Sequence, residues 1–102
     1  MTEKDFQRSV ISAAEALGWK VCHHRPGKQG VRWMTATLGS GRGFPDLVIA
    51  HPSGALIFAE LKAETGKLSE EQEAWARVLG PRWCVWRPSD WLAIEAKLKG
   101  AE

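Results

Sequence analysis

Two apolar runs joined by a short turn constrain this chain more than any other feature. Phe44-Pro45-Asp46-Leu47-Val48-Ile49-Ala50-His51 and Ala55-Leu56-Ile57-Phe58-Ala59-Glu60-Leu61-Lys62 read as strands, and His51-Pro52-Ser53-Gly54 has the residues of a tight connection, so the two pair as a hairpin. Runs this continuously apolar belong to a sheet covered on both faces, and helices must supply the covers. Side chains alternate along a strand, so Glu60 and Lys62 share one face while Leu61 points to the other. The hairpin then brings Asp46, at the far end of the first strand, back beside Glu60 and Lys62. Two carboxylates and an ammonium on otherwise apolar strands require a reason.

The flanking segments fill in the covers. Thr2 followed by Asp5 forms a capping-box pattern ahead of a helix over about Glu3 to Leu17, with Phe6, Val10, Ala13, Ala14 and Leu17 as its buried stripe and Gly18 as its stop. Glu3 and Gln7 stack at one edge of that stripe. An acid in a first helical turn complements the helix dipole, and that is one reading of Glu3. Residues 19–24 form a first strand, and Ser69 with Gln72 opens a second helix whose inward side is Leu68, Gln72, Trp75, Ala76 and Leu79, ended by Gly80-Pro81. Residues 82–87 are the last strand, and a final helix runs from about Asp90 to Leu98 with Trp91, Ile94 and Leu98 on its apolar side. The order is αβββαβα: an α/β chain with a mixed four-stranded sheet, an antiparallel hairpin at its heart and a helical crossover to the last strand.

With 102 residues the chain is expected to be one domain, 1–102, with a single core. No apolar run approaches the roughly 18 residues that cross a bilayer, and the N-terminus lacks the apolar segment of a signal peptide, so no membrane partner and a cytoplasmic location are expected. Cys22 and Cys84 lie on different strands without a CxxC partner and read as buried free thiols. Net charge is only +2, but its distribution is uneven. From Ala16 to Pro45 the chain carries Lys20, Arg25, Lys28, Arg32 and Arg42 without an acid, whereas acids crowd Glu60 to Glu73. The basic, Gly-rich loop at about 25–43 either meets phosphates or is simply solvated. Its Gly39-Ser40-Gly41-Arg42-Gly43 lacks the GK[ST] ending of a P-loop and precedes a strand, which argues against a nucleotide cradle. Trp33 in this loop either stacks on a base or covers the end of the sheet. His23, His24 and His51 stand at strand ends, where structural roles are commonest, and are left outside the site.

Converging carboxylates repel unless a cation or proton lies between them. A hard divalent ion such as Mg²⁺, with Mn²⁺ as substitute, prefers oxygen ligands and keeps waters and substrate phosphates in its shell. A lysine beside it suits the orientation of a water or the stabilisation of phosphate charge. Metal-assisted phosphodiester hydrolysis is the chemistry these residues favour.

At Pro45-Asp46 and Glu60-Leu61-Lys62 the sequence resembles the PD-(D/E)XK nuclease superfamily, and the element order matches that core. Glu3 with Gln7, Gly43-Phe44-Pro45-Asp46-Leu47, Ser69 to Gln72 and the Trp86-Arg87-Pro88-Ser89-Asp90 run extend the likeness to the VRR-NUC (virus-type replication-repair nuclease) family, over all but the loop from Arg25 to Arg42 and the extreme C-terminus. The resemblance implies a restriction-endonuclease-like core, Asp46 and Glu60 as metal ligands, a ligating backbone carbonyl from Leu61, Glu3 acting on the metal directly or through water, and Lys62 as the catalytic lysine. Gln72 matches a glutamine the family carries near the active site, though a helix cap also explains it.

The stand-alone phage and bacterial members imply a homodimer in a bacterial or phage-infected cell, cutting branched DNA such as four-way junctions or flaps during replication, recombination or repair. Arg25, Lys28, Arg32 and Arg42 are the expected phosphate contacts. A non-cleaving DNA-binding module, or a nuclease subunit active only in a larger assembly, are the competing functions. Both acids facing a polyanion favour catalysis over mere binding.

Overall fold

The structure, a computed structural model, describes residues 2–24, 27–29, 32–34 and 39–101, with 27–29 and 32–34 described as backbone only. Helix α1 is Glu3–Ala16. The Thr2 hydroxyl accepts the Asp5 N–H at 3.0 Å and the Asp5 carboxylate accepts the Thr2 N–H at 3.4 Å, so two of the helix's orphan donors are satisfied reciprocally. These bonds from Thr2 hold the Asp5 carboxyl below its ordinary pKa. Phe6, Val10 and Ala14, four apart, are buried. Gly18 takes φ +90°, a left-handed conformation that turns the chain out of the helix.

Strand β1 is Lys20–His23, a residue shorter at each end than expected. Trp19 belongs to the core instead of the ladder, and its indole N–H donates to the Leu98 carbonyl at 3.1 Å, tying the start of β1 to the last helix. Within the stretch read as a loop, Gly27–Gln29 (β2) and Arg32–Met34 (β3) pair antiparallel as a separate two-stranded sheet. Three residues per strand are too few to leave a periodic signal in the sequence. Arg25 lies outside the described residues. Lys28, Arg32 and Trp33 have described backbone positions only.

The hairpin forms between β4, Leu47–Ala50, and β5, Leu56–Leu61, with Leu47 opposite Ala59 and Ala50 opposite Leu56. His51 N–H donates to the Ala55 carbonyl at 2.9 Å, and Gly54 closes the turn with φ +101°. Phe44 and Pro45 thus lead into the strand, and Asp46, just ahead of β4, reaches the neighbouring chain through its carbonyl, which accepts the His24 N–H. Strand β6, Trp83–Trp86, pairs parallel to β5, and the main sheet runs β1-β4-β5-β6. Helix α2, Glu70–Leu79, is the crossover between β5 and β6. Helix α3, Trp91–Lys99, follows a 3-10 turn at Pro88–Asp90. The architecture is α/β, with a mixed four-stranded sheet and three helices in a restriction-endonuclease-like arrangement. The expected element order holds, with the β2-β3 hairpin inserted after β1.

Helices cover both faces of the sheet, as expected, but unequally. Leu47, Ile49, Ile57, Ala59, Leu61 and Trp86 join Phe6, Val10, Ala14, Ile94 and Leu98 in the core, so α1 and α3 bury one face fully. On the other face Val48, Leu56 and Phe58 are half-buried, and α2 has no fully buried residue: Gln72, Trp75, Ala76 and Leu79 are all half-buried, as is Leu68 just ahead of the cap. Ten residues of helix leave that face short of cover. Of the two cysteines, Cys84 is half-buried and Cys22 is exposed, so the expectation of burial fails for Cys22, which the alternation of β1 turns outward. Among the described residues no helix is long and apolar enough to cross a membrane.

Candidate active site

The C-terminal end of β5 lies between the N-terminal ends of α1 and α2, and the polar residues of all three elements converge there. A cleft of about 240 Å³ is lined by Glu3, Gln7, His23, Asp46, Glu60, Leu61, Lys62 and Gln72. The alternation of β5 decides their disposition: Leu61 packs into the core beneath α1 and α3, and Glu60 faces α2. Asp46 is held by two bonds, its carboxylate accepting the Leu61 N–H at 3.0 Å and its carbonyl accepting the His24 N–H at 2.6 Å. It therefore bridges three strands of the sheet.

Glu60 is the centre of the site. It is only 3% exposed, the one buried charged side chain among the described residues. Its Oε2 accepts a 2.8 Å bond from Gln72 Nε2, while its buried Oε1, in the neighbourhood of the Asp46 side chain and backbone, makes no well-formed hydrogen bond among the described residues. Burial first, and the negative charge of Asp46 second, push its pKa up to about 8 against the opposing pull of Lys62. A buried carboxylate with an unsatisfied oxygen is costly, and such exceptions concentrate where a ligand completes the shell.

Gln72 resolves a choice that the sequence leaves open. Its Oε1 accepts the Ser69 N–H at 2.9 Å, completing the cap of α2, while its Nε2 donates to Glu60. One amide serves cap and cleft together because its acceptor and donor ends point in different directions. On the far side, Lys62 N–H donates to the Trp86 carbonyl at 3.0 Å, extending the β5–β6 ladder by one residue. Arg87 Nη1 then braces the following turn through the carbonyls of Ala63, at 2.6 Å, and Glu64, at 3.3 Å.

Glu3, Asp46, Glu60, Leu61, Lys62 and Gln72 are thus brought together. Arg42 is not among them. With Ser40, Glu71, Ala74, Trp75 and Val78 it lines a separate apolar groove of about 410 Å³ against α2. His23 and Gln7 line the cleft although the sequence reading leaves them out of the site. Gln7 was legible one turn after Glu3. His23 shares the parity of Val21 on β1 and stands opposite Leu47, which only the register reveals. His24 packs edge-on against Phe44 and His51 against Trp19, in structural settings away from the cleft.

Among the described residues no three His, Cys, Asp or Glu side chains form a ready-made metal cage. The arrangement instead offers two neighbouring carboxylates on one open cleft, the donor set of a hard cation that retains much of its water. The model of the VRR-NUC domain matches residues 5–82, a span that contains Asp46, Glu60, Lys62 and Gln72. The chain belongs to the VRR-NUC family. This VRR-NUC domain is a nuclease domain by family, and Glu3 and the segment from Trp83 onward lie beyond the matched span. Comparisons with curated proteins and with solved structures give no match.

Proposed function

We propose that this VRR-NUC domain is a Mg²⁺- or Mn²⁺-dependent endonuclease that hydrolyses phosphodiester bonds in branched DNA, four-way junctions or flaps, and acts as a homodimer. The observation that carries the reading is the buried, partly unsatisfied Glu60 carboxylate beside Asp46 and Lys62 in one open cleft. The donor set fits a hard divalent ion. Asp46, Glu60 and the Leu61 carbonyl would hold it, with Glu3 contributing directly or through water. When bound, such an ion acidifies a coordinated water and polarises a phosphoryl oxygen.

The chain's own groups supply the rest. Lys62, just past the end of β5, lines the same cleft, where its ammonium would orient the attacking water or stabilise charge on the phosphate. Gln72 fixes the Glu60 carboxylate by donating to one oxygen, leaving the other available. Leu61 N–H fixes Asp46 in the same way. Both acids are thereby oriented before substrate arrives, which lowers the reorganisation needed for reaction. Arg25, Lys28, Arg32 and Arg42 contribute phosphate contacts that give affinity without reading sequence. Two related sites in a dimer would address two strands of one junction.

The test is incubation of the pure protein with junction, flap and duplex DNA in Mg²⁺ or Mn²⁺. Cleavage of the branched substrates, abolished by chelator and reduced at least about 100-fold by Asp46→Ala or Lys62→Ala, is the expected result, the magnitude being that of losing one electrostatic group at a reacting centre. Full activity in either folded variant removes the assigned site. Binding of junctions without cleavage under every metal condition would favour a binding module.

A further inference from the structure

The first turns of α2 touch more than Glu60. A Cβ built on Gly43, whose φ is +84°, would lie 2.6 Å from the backbone carbonyl carbon and the Cβ of Glu71 and 2.8 Å from the Gln72 nitrogen. No L side chain fits that gap without moving backbone. One turn further along, Trp75 Nε1 donates to the carbonyls of both Ser40 and Arg42, each at 3.2 Å. The Trp75 ring also packs edge-on against Phe44 with centroids 5.0 Å apart, and Phe44 in turn packs against Phe58 of β5 at 6.0 Å. The segment from Ser40 to Phe44 is therefore pinned to α2 at three successive points.

That segment runs directly into Pro45-Asp46. Pro45 is fully buried and its ring fixes φ, while Phe44 before it is restricted to extended conformations. A shift at Gly43 consequently reaches Asp46 with little slack to absorb it. The same helix holds the other acid, through the Gln72–Glu60 bond. Asp46 stands at the entry to β4 and Glu60 on β5, and α2 holds the approach to one and the side chain of the other.

We propose that Gly43 and Trp75 are positioning residues of the nuclease site: through the first two turns of α2 they set Asp46 in register with Glu60, and so set the affinity of the cleft for a divalent cation. This rests on the metal-dependent reading above. Neither residue reaches the cleft, and their effect is carried by the docked helix. Groups that hydrogen-bond a ligand directly, as Gln72 does Glu60, shift metal affinity by about 10–100-fold when altered, and Gly43 and Trp75, one contact further out, are expected at the lower end of that range.

The experiment is Mn²⁺ binding to the full chain without DNA, followed by the electron paramagnetic resonance signal of free Mn²⁺, for wild type, Gly43→Ala, Trp75→Phe, Gln72→Ala, Lys62→Ala and the pairwise combinations. Trp75→Phe keeps an aromatic ring and removes the N–H, so it remains informative if Gly43→Ala fails to fold. The expected result is about tenfold weaker Mn²⁺ binding in Trp75→Phe and Gly43→Ala, with cleavage recovering toward the wild-type maximum at high Mn²⁺. Their effects should be non-additive with Gln72→Ala, which releases the same helix, and additive with Lys62→Ala. A merely structural role would lower the melting temperature without moving Mn²⁺ affinity of the folded protein. Affinities within twofold of wild type in a folded Trp75→Phe, or full additivity with Gln72→Ala, overturn the positioning role alone. Failure of the wild type to bind Mn²⁺ overturns both this role and the reading beneath it.

Discussion

Glu60 is where function and stability pull against each other. The residue is 3% exposed, one carboxyl oxygen makes no well-formed hydrogen bond among the described residues, and its pKa is pushed up to about 8. A raised folded-state pKa means that the buried carboxyl is harmless while protonated. Stability falls as pH climbs from the ordinary value of 4.5 through about 8, because the folded state resists losing the proton that the unfolded chain gives up freely. Glu60→Gln is therefore expected to abolish cleavage while making the metal-free protein more stable at pH 7, by about 1–2 kcal/mol, an advantage that vanishes below pH 4.5. Thermal melts of both proteins in chelator from about pH 4 to 8 check this, and a constant difference across that range would refute the burial account. The cysteines offer a second residue-scale check. Burial pushes the Cys84 thiol up to about 12, whereas Cys22 is exposed. Maleimide at neutral pH should label one thiol in the native protein and the second only after unfolding.

At the scale of elements, α2 is the piece whose sequence and task are hardest to separate. Its Ser69-to-Gln72 cap was legible as a cap, and the reach of the same glutamine to Glu60 was not, because the spacing between helix and sheet is a property of packing. Two substitutions divide the jobs. Ser69→Ala removes the hydroxyl that accepts the Gln72 N–H and should cost about 1 kcal/mol in stability while leaving cleavage within a few-fold of wild type. Gln72→Glu preserves the capping acceptor but sets a carboxylate against Glu60. Activity should fall, and the stability lost at neutral pH should return on acidification. Urea denaturation at two pH values together with the cleavage assay tests both, and a Gln72→Glu protein as active as wild type would show that the Gln72–Glu60 bond is dispensable. The β2-β3 pair makes the complementary point: strands of three residues leave no periodic pattern to read.

Over the whole molecule, charge rather than shape is the sequence's main statement about partners. A net charge of +2 is small, but the run from Ala16 to Pro45 is free of acids. Reversing Arg32 and Arg42 together to glutamate should weaken junction binding at low salt by at least about tenfold and flatten its salt dependence, since a phosphate that no cation neutralises keeps its condensed counterions. Unchanged binding in a filter or gel assay would detach the basic stretch from DNA. The chain by itself determined its α/β class, the hairpin that joins Asp46 to Glu60, both helix caps and the family likeness, because alternation, capping chemistry and turn residues are local and survive in one dimension. Only the tertiary structure decided that α1 and α3 bury one face fully while α2 leaves the other half-covered, that His23 and Gln7 line the cleft, and that Gln72 serves two roles. Those outcomes depend on distances between segments far apart in the chain, where register and helix docking fix what spacing alone cannot. The pair of acids on the hairpin is readable from the sequence, and the burial that leaves Glu60 one oxygen short of a partner is a product of the fold.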